Sequence, residues 1–241
     1  MSAARTVHVN WLHDDTEEDP AGTDWHQQSI RMLVMGLEDL AAMHDLPWHV
    51  GDQQTLVCTK PDGSPWRPMP DVMLHARAGA AKRAKMSLLA DGAPDLIIEV
   101  TDPTAWANDL DTRGGKAWGY LHLGVVNYLV FDPDCSLPVE QCRGWQLRAE
   151  EVQPWLPAAD GHYHAIGLGI SFQPEGDLLR IFDQDGKPVP FNYEKNVIIH
   201  AQEHMLLRQE QAQQTRETQK QQQTRRIADL EAELARLRGQ S

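Results

Sequence analysis

Only three cysteines occur in 241 residues, Cys58, Cys135 and Cys142, and no two of them form a C-x-x-C pair. That scarcity excludes an even disulfide framework, and we expect free thiols in a cytoplasmic protein. No apolar run approaches the roughly 18 residues that a membrane span requires. The opening MSAARTVHVN also lacks the long apolar core of a secretion signal. Positive charge is short as well: 22 Lys and Arg face 35 Asp and Glu, a formal balance of −13. The deficit is uneven. From Gln202 to Ser241 seven basic residues nearly match six acidic ones, which leaves the preceding body at −14. Affinity for duplex DNA comes largely from neutralising phosphates, so a body this acidic is handicapped as a bulk DNA binder.

What is present is ordinary globular composition, 41% hydrophobic and 24% charged, which excludes a fully disordered chain. The length suits one sizeable domain with an appendage, or two small domains. Residues 24–44 place Ile30, Leu33, Val34, Leu37, Leu40 and Ala41 at helical spacing, with a cap near Thr23 or Asp24. Strand-like runs follow in PWHV, TLVCT and PDVMLHA, with turns at Gly51-Asp52 and PDGSPWRP. RAGAAKRAKMSLLADG reads as a connection, residues 94–101 as another strand, GGKAWGYLHLGV as a short helix and VNYLVFDP as a further strand. After Pro133 the pattern is hairpin-like. These elements predict an α+β or mixed-sheet domain over residues 1–192.

Residues 193–238 contain no Gly or Pro and are rich in Gln, Glu, Arg and Ala, so residues 193–241 are expected to be a separate helical tail. A heptad seam through Ile227, Leu230, Leu234 and Leu237, run back to Leu206, has ten a/d positions of which five are apolar. Gln209, Gln213, Arg216, Lys220 and Gln223 interrupt it, which allows a short terminal zipper and not a continuous coiled coil.

Within GAPDLIIEVTDP, Glu99 stands among apolar strand residues. Burying an unpaired carboxylate costs several kcal/mol, roughly, unless a partner or a metal compensates it. Alternation puts Asp95, Ile97, Glu99 and Thr101 on one face, but Asp95 and Glu99 are then about 13 Å apart at ~3.3 Å per residue. They cannot share one cation. A second carboxylate must come from another strand, and Asp71 in PDVMLH is the candidate. Two such carboxylates can bind a hard divalent cation. The plainer alternative has Asp71 and Asp95 starting strands at the surface while Glu99 pairs with Lys116 or an arginine.

PDV, then APDLIIEVTDPT, then DLDTRGGKAWGYLHLGVVNYLVFDP resembles the Uma-two family of restriction endonucleases, within the PD-(D/E)XK nuclease superfamily. The resemblance extends to WHQQSIRMLVMGLEDL, to GLGISFQPEGDLLRIFDQDGKPVP and to the tail ending LEAELARLRG. It implies a restriction-endonuclease-like mixed β-sheet flanked by helices, acting on nucleic acid (DNA is the expected target) with Mg²⁺ or Mn²⁺. Asp71 would be the Asp of the PD motif and Glu99 the acidic residue of the (D/E)XK motif. Thr101 occupies the usual Lys slot, and Lys116 in GGKAWGY matches the lysine that this family supplies from the following helix. A lysine there can orient water and stabilise the phosphate electrostatically. Asp95 would hold loop geometry. Two features depart from the family: only DDTEEDP precedes the first helix, where relatives carry an ELIDGE-like segment, and the stretch from Asp102 to Lys116 holds Asp109 and Asp111 without a clean match.

Other signals are weaker. HAQEH, with His200, Glu203 and His204, has the form of an inverted zinc-protease motif, but it opens a polar tail and no third ligand is visible. A solvated helix accounts for it better. His162 and His164 in HYH fit a sheet surface. His26 on the first helix fits a hydrogen-bonded histidine, with substrate contact open to it near a nuclease site. Arg77, Lys82, Arg83 and Lys85 form a basic connection that could reach phosphates. The reading is therefore a Mg²⁺-dependent endonuclease with Asp71, Glu99 and Lys116 at its centre and a C-terminal helix for homo-oligomerisation. Its rival is a nuclease-fold binding or scaffold protein with little cleavage activity, favoured by the acidic body and by Thr101.

Overall fold

The computed structural model describes residues 23–238 apart from 61–62, 80, 82 and 136–139. The chain divides into two compact units, Met1–Val189 and Pro190–Ser241. In the first unit, helix α1 (Thr23–Met43) precedes strands β1 (His49–Asp52), β2 (Thr55–Thr59), β3 (Pro65–Trp66) and β4 (Val72–His75). Next come β5 (Lys85–Ser87), α2 (Leu88–Asp91), β6 (Leu96–Val100), α3 (Trp106–Asp109), α4 (Lys116–His122) and β7 (Asn127–Phe131). The unit continues with β8 (Cys142–Arg148), β9 (Glu151–Trp155), β10 (Tyr163–His164), β11 (Ser171–Glu175) and β12 (Leu178–Phe182).

Six strands build the main sheet in the order β1-β4-β6-β7-β8-β9. β6 and β7 run parallel, joined through α3 and α4, while the other neighbours are antiparallel. This is the expected mixed sheet flanked by helices. Alternation along β6 divides its residues between two cores. Leu96, Ile98 and Val100 join Ile30, Leu33, Leu37 and Leu40 of α1 on one face, with Phe172 and Ile181 of the antiparallel β10-β11-β12 sheet. On the other face, Ile97 meets Ala117, Tyr120 and Leu121 of α4, with Leu56 and Met86 of the small β3-β2-β5 sheet. The central strands β4, β6 and β7 are buried along their whole length, which is why they read as unbroken apolar runs.

Some elements differ from the sequence reading. The basic connection after His75 contains β5 and α2, because Met86 buries itself beside Leu56 in a parallel pair too short to show a period. β3 and β9 also lack a sequence signal. The second unit carries helix α5 (Asn192–Arg238), the long tail expected from its lack of Gly and Pro. From Asn196 on, every described side chain of α5 is exposed. The expected cap at Thr23 or Asp24 and the seam side chains Ile227, Leu230, Leu234 and Leu237 lie outside the described side chains, as does the segment DDTEEDP.

Leu37 is fully buried between α1 and the sheet. Leu37→Ala should destabilise the first unit by about 2–5 kcal/mol through lost transfer energy and the cavity left behind. A urea unfolding curve with unchanged slope and a lower midpoint would report it.

Candidate active site

Glu99 projects from β6 on the α4 side of the sheet, and its side chain is fully buried. It forms a trio with Lys116 and Asp109. The Lys116 Nζ, at the first residue of α4, lies 3.0 Å from Glu99 Oε2 and also 3.0 Å from Asp109 Oδ1. Asp109 closes α3 and is itself buried. Its Oδ2 accepts a 2.8 Å hydrogen bond from the Thr101 hydroxyl, and its backbone carbonyl accepts one of 2.8 Å from the Tyr128 hydroxyl. Of this trio Lys116 is the member open to solvent, at 28% exposure against 0% for Glu99 and 2% for Asp109.

Asp71 stands immediately before β4. Val72 pairs with Ile98, and Asp71 and Glu99 are the next residues along the two antiparallel chains. Asp71 Oδ2 accepts the Val100 N–H at 2.9 Å, and Oδ1 lies 3.4 Å from Nε2 of His26, which comes from the first turn of α1. The hydrogen bond to Asp71 raises the His26 pKa above its ordinary value against the opposing effect of burial. Burial pushes Glu99 from 4.5 up to about 8; the Lys116 charge opposes this, and the Asp71 and Asp109 carboxylates add to it. Lys116 moves up as well: burial disfavours its charge, but Glu99 and Asp109 outweigh that. Tyr120 and Tyr128 are held well above the usual phenol range, first by burial and then by the Glu99 charge.

Three polar loose ends mark the site. Glu99 Oε1, Asp109 Oδ1 and the Tyr120 hydroxyl are all buried without a well-formed hydrogen bond, although the Tyr120 hydroxyl is near enough to the Glu99 carboxylate to interact with it. Buried polar groups are ordinarily paired, so the Glu99 oxygen is an acceptor awaiting a proton or a cation. Among the described residues no three His, Cys, Asp or Glu side chains converge as a ready-made metal cage. Mg²⁺ does not require one. It commonly takes one or two carboxylates, with water and substrate phosphate completing its shell. Asp71 and Glu99 fit that donor set.

The structure brings Asp71, Glu99, Thr101, Lys116 and His26 of the sequence-derived candidates into one neighbourhood. Asp95 stands apart from it: Oδ2 accepts the Ala76 N–H at 2.7 Å and lies 3.6 Å from His75 Nδ1, where it secures the exit of β4. Arg83 is tied down by a 2.6 Å ion pair with Asp91 and a bond to the Ala78 carbonyl. Arg77 and Lys85 are exposed, the latter on β5, and Lys82 lies outside the described residues. His200 pairs with Glu203 at 3.3 Å on the exposed surface of α5. The residue whose place was not foreseen is Asp109. No periodicity distinguished it from Asp111, and only its contacts with Thr101 and Lys116 do so.

Residues 3–182 match the model of the Uma2 family, described as "Putative restriction endonuclease". The chain belongs to that family. The Uma2 description supports a nuclease function acting on nucleic acids. A crystal structure titled a "putative nuclease belonging to DUF820" from Anabaena variabilis ATCC 29413 is similar over 57% of this chain and 71% of that chain, with 16% identity and a TM-score of 0.37. No curated protein matches the chain.

The Glu99 shift has a consequence for stability. With a folded pKa near 8 against an ordinary 4.5, the native state keeps a proton that the unfolded chain releases. Its contribution to stability is therefore fully present below about pH 4.5 and is lost as pH rises through about 8. Glu99→Gln should flatten the fall in urea midpoint between pH 5 and 9, roughly the window these values set. A variant curve parallel to that of the wild type would show Glu99 is not the group responsible.

Proposed function

We propose that this Uma2-family chain is a metal-dependent endonuclease that hydrolyses phosphodiester bonds in DNA, with Asp71 and Glu99 holding Mg²⁺ or Mn²⁺ and Lys116 assisting the attack of water. The observation that carries this reading is the fully buried Glu99 oxygen without a hydrogen bond, beside a lysine held by two carboxylates. When bound, the metal supplies a lowered pKa for a ligated water and Lewis-acid stabilisation of the phosphoryl charge. Glu99 serves as the carboxylate, so loading the site releases its proton and affinity rises with pH up to about 8. Asp71 is kept in place by the Val100 N–H. Lys116 remains cationic, and its solvent-facing side can donate hydrogen bonds to an incoming water or to a phosphate oxygen. His26, at the edge of the site beside Asp71, is within reach of the substrate.

One observation favours the rival reading, a nuclease-fold binding or scaffold protein: the −14 charge of the body, which opposes the approach of a polyanion. Cleavage separates the two. Asp71→Ala and Glu99→Ala should each weaken Mn²⁺ binding by about tenfold or more, the scale of losing a carboxylate ligand. Lys116→Ala should keep metal binding and lose about 100-fold in cleavage of plasmid or single-stranded DNA. Unchanged Mn²⁺ affinity in both carboxylate variants would sink the site, and a wild-type protein that binds metal without cutting would favour the rival. We assign self-association to α5, where Val197, Ile198, Ile199, Met205, Leu206 and Leu207 are all exposed. Sedimentation should then depend on concentration; a monomer at every concentration would reject the assignment.

A further inference from the structure

We propose that Asp109 is a positioning residue of the cleavage reaction, holding the Lys116 amine away from collapse onto Glu99 and keeping it aimed at the reacting phosphate. The proposal rests on the nuclease reading above for the role of Lys116, and adds to it a residue that no motif assigns.

A lysine amine is a compact charge on a flexible four-carbon stem, and its direction must be imposed from outside. With Glu99 as its sole partner, Lys116 would settle against the carboxylate that has to receive a cation. The second carboxylate prevents this. Asp109 Oδ1 lies 3.0 Å from the amine, the same distance as Glu99 Oε2, so the amine is shared between two carboxylates, hydrogen-bonded to Glu99 and in ion-pair contact with Asp109. Asp109 cannot itself reach substrate, because it is 1% exposed. It acts through what it holds.

Asp109 is in turn held from several directions. The Thr101 hydroxyl donates to Oδ2 at 2.8 Å, the Tyr128 hydroxyl donates to its carbonyl at 2.8 Å, and its N–H donates to the Ala105 carbonyl at 3.1 Å. The segment from α3 to α4 folds tightly on itself. A Cβ at Gly115 would sit 2.3 Å from the Asn108 carbonyl oxygen, and Trp118 N–H bonds the Asp111 carbonyl at 3.1 Å. Carboxylate and amine therefore belong to one closed substructure. Thr101, two residues past Glu99, serves it by bonding the carboxylate from just beyond the end of β6.

The test uses the full chain with Asp109→Asn, Thr101→Val, Lys116→Met and the double variant Asp109→Asn/Lys116→Met. Asp109→Asn should leave Mn²⁺ affinity within about threefold and KM within about threefold, while kcat falls about 100-fold, the cost of an ångström-scale misplacement. In the Lys116→Met background the same change should cost nothing further, because the residue acts through the amine. Thr101→Val should show a loss in the same direction of about tenfold, and it decides the matter if Asp109→Asn fails to fold. A readout independent of activity is the ammonium signal of Lys116 in ¹⁵N-lysine NMR, identified by its disappearance in Lys116→Met. It should be visible in the wild type and vanish or broaden in Asp109→Asn or, where that variant does not fold, in Thr101→Val.

Lost Mn²⁺ binding in Asp109→Asn would make the residue a ligand and overturn the proposal. Equal losses with and without Lys116 would make its role general to the fold and would overturn it as well. An ammonium signal unchanged in the folded variant overturns it too. Should the wild type cut no nucleic acid, the nuclease reading falls by itself, and the ammonium signal alone decides whether Asp109 restrains Lys116.

Discussion

The structure depends on how one amine is shared between two buried carboxylates. Removing an ion from water costs several kcal/mol even after relaxation, and that cost falls on Glu99 and Asp109 together. Lys116, 3.0 Å from each, recovers about 5 kcal/mol per pair at an effective dielectric constant near 20. One positive charge cannot balance two negative ones. Burial first, and then the neighbouring Asp71 and Asp109 carboxylates, raise the Glu99 pKa, and one Glu99 oxygen is left without a hydrogen bond.

The architecture keeps that setting dry. Tyr120 packs between Trp66 at 5.0 Å and Tyr128 at 5.5 Å, and Tyr128 continues to Trp145 at 6.2 Å between ring centroids. These rings line the α4 side of the sheet around Glu99 and lower the local dielectric, which strengthens each nearby charge interaction. Gly119 lets Trp66 approach α4, since a Cβ there would sit 2.5 Å from the indole ring. On the opposite face Leu96, Ile98 and Val100 fasten the same strand to α1. β6 thus presents a charged residue on one side while the apolar residues of the other anchor it.

The acidic body limits where a polyanion can approach. Arg83, one of the four basic residues in the connection, is committed to Asp91 and to a backbone carbonyl. Arg77 and Lys85 of that connection stay exposed, and Lys116 faces solvent beside Glu99.

Much of the fold and part of the site were legible in the chain. The α1 period, the apolar runs of β4, β6 and β7, and the Gly- and Pro-free tail each carry their own local signal. β5, α2 and the two-residue strand β3 do not, because pieces that short are stabilised by partners distant in sequence and have no period to read. Alternation separated Asp95 from Glu99, and the structure takes Asp95 to the end of β4 instead.

By itself the sequence determined the long central strands, which residues share a face of β6 with Glu99, and that Asp71, on another strand, was the carboxylate to consider beside it. Only the tertiary structure decided that Asp109 rather than Asp111 meets Lys116, that Thr101 serves Asp109, and that Arg83 is spent on an internal ion pair. The reason is physical. Periodicity reports the direction of a side chain relative to its own strand or helix, whereas pairing between buried charges depends on ångström-scale distances set by the packing of several elements at once.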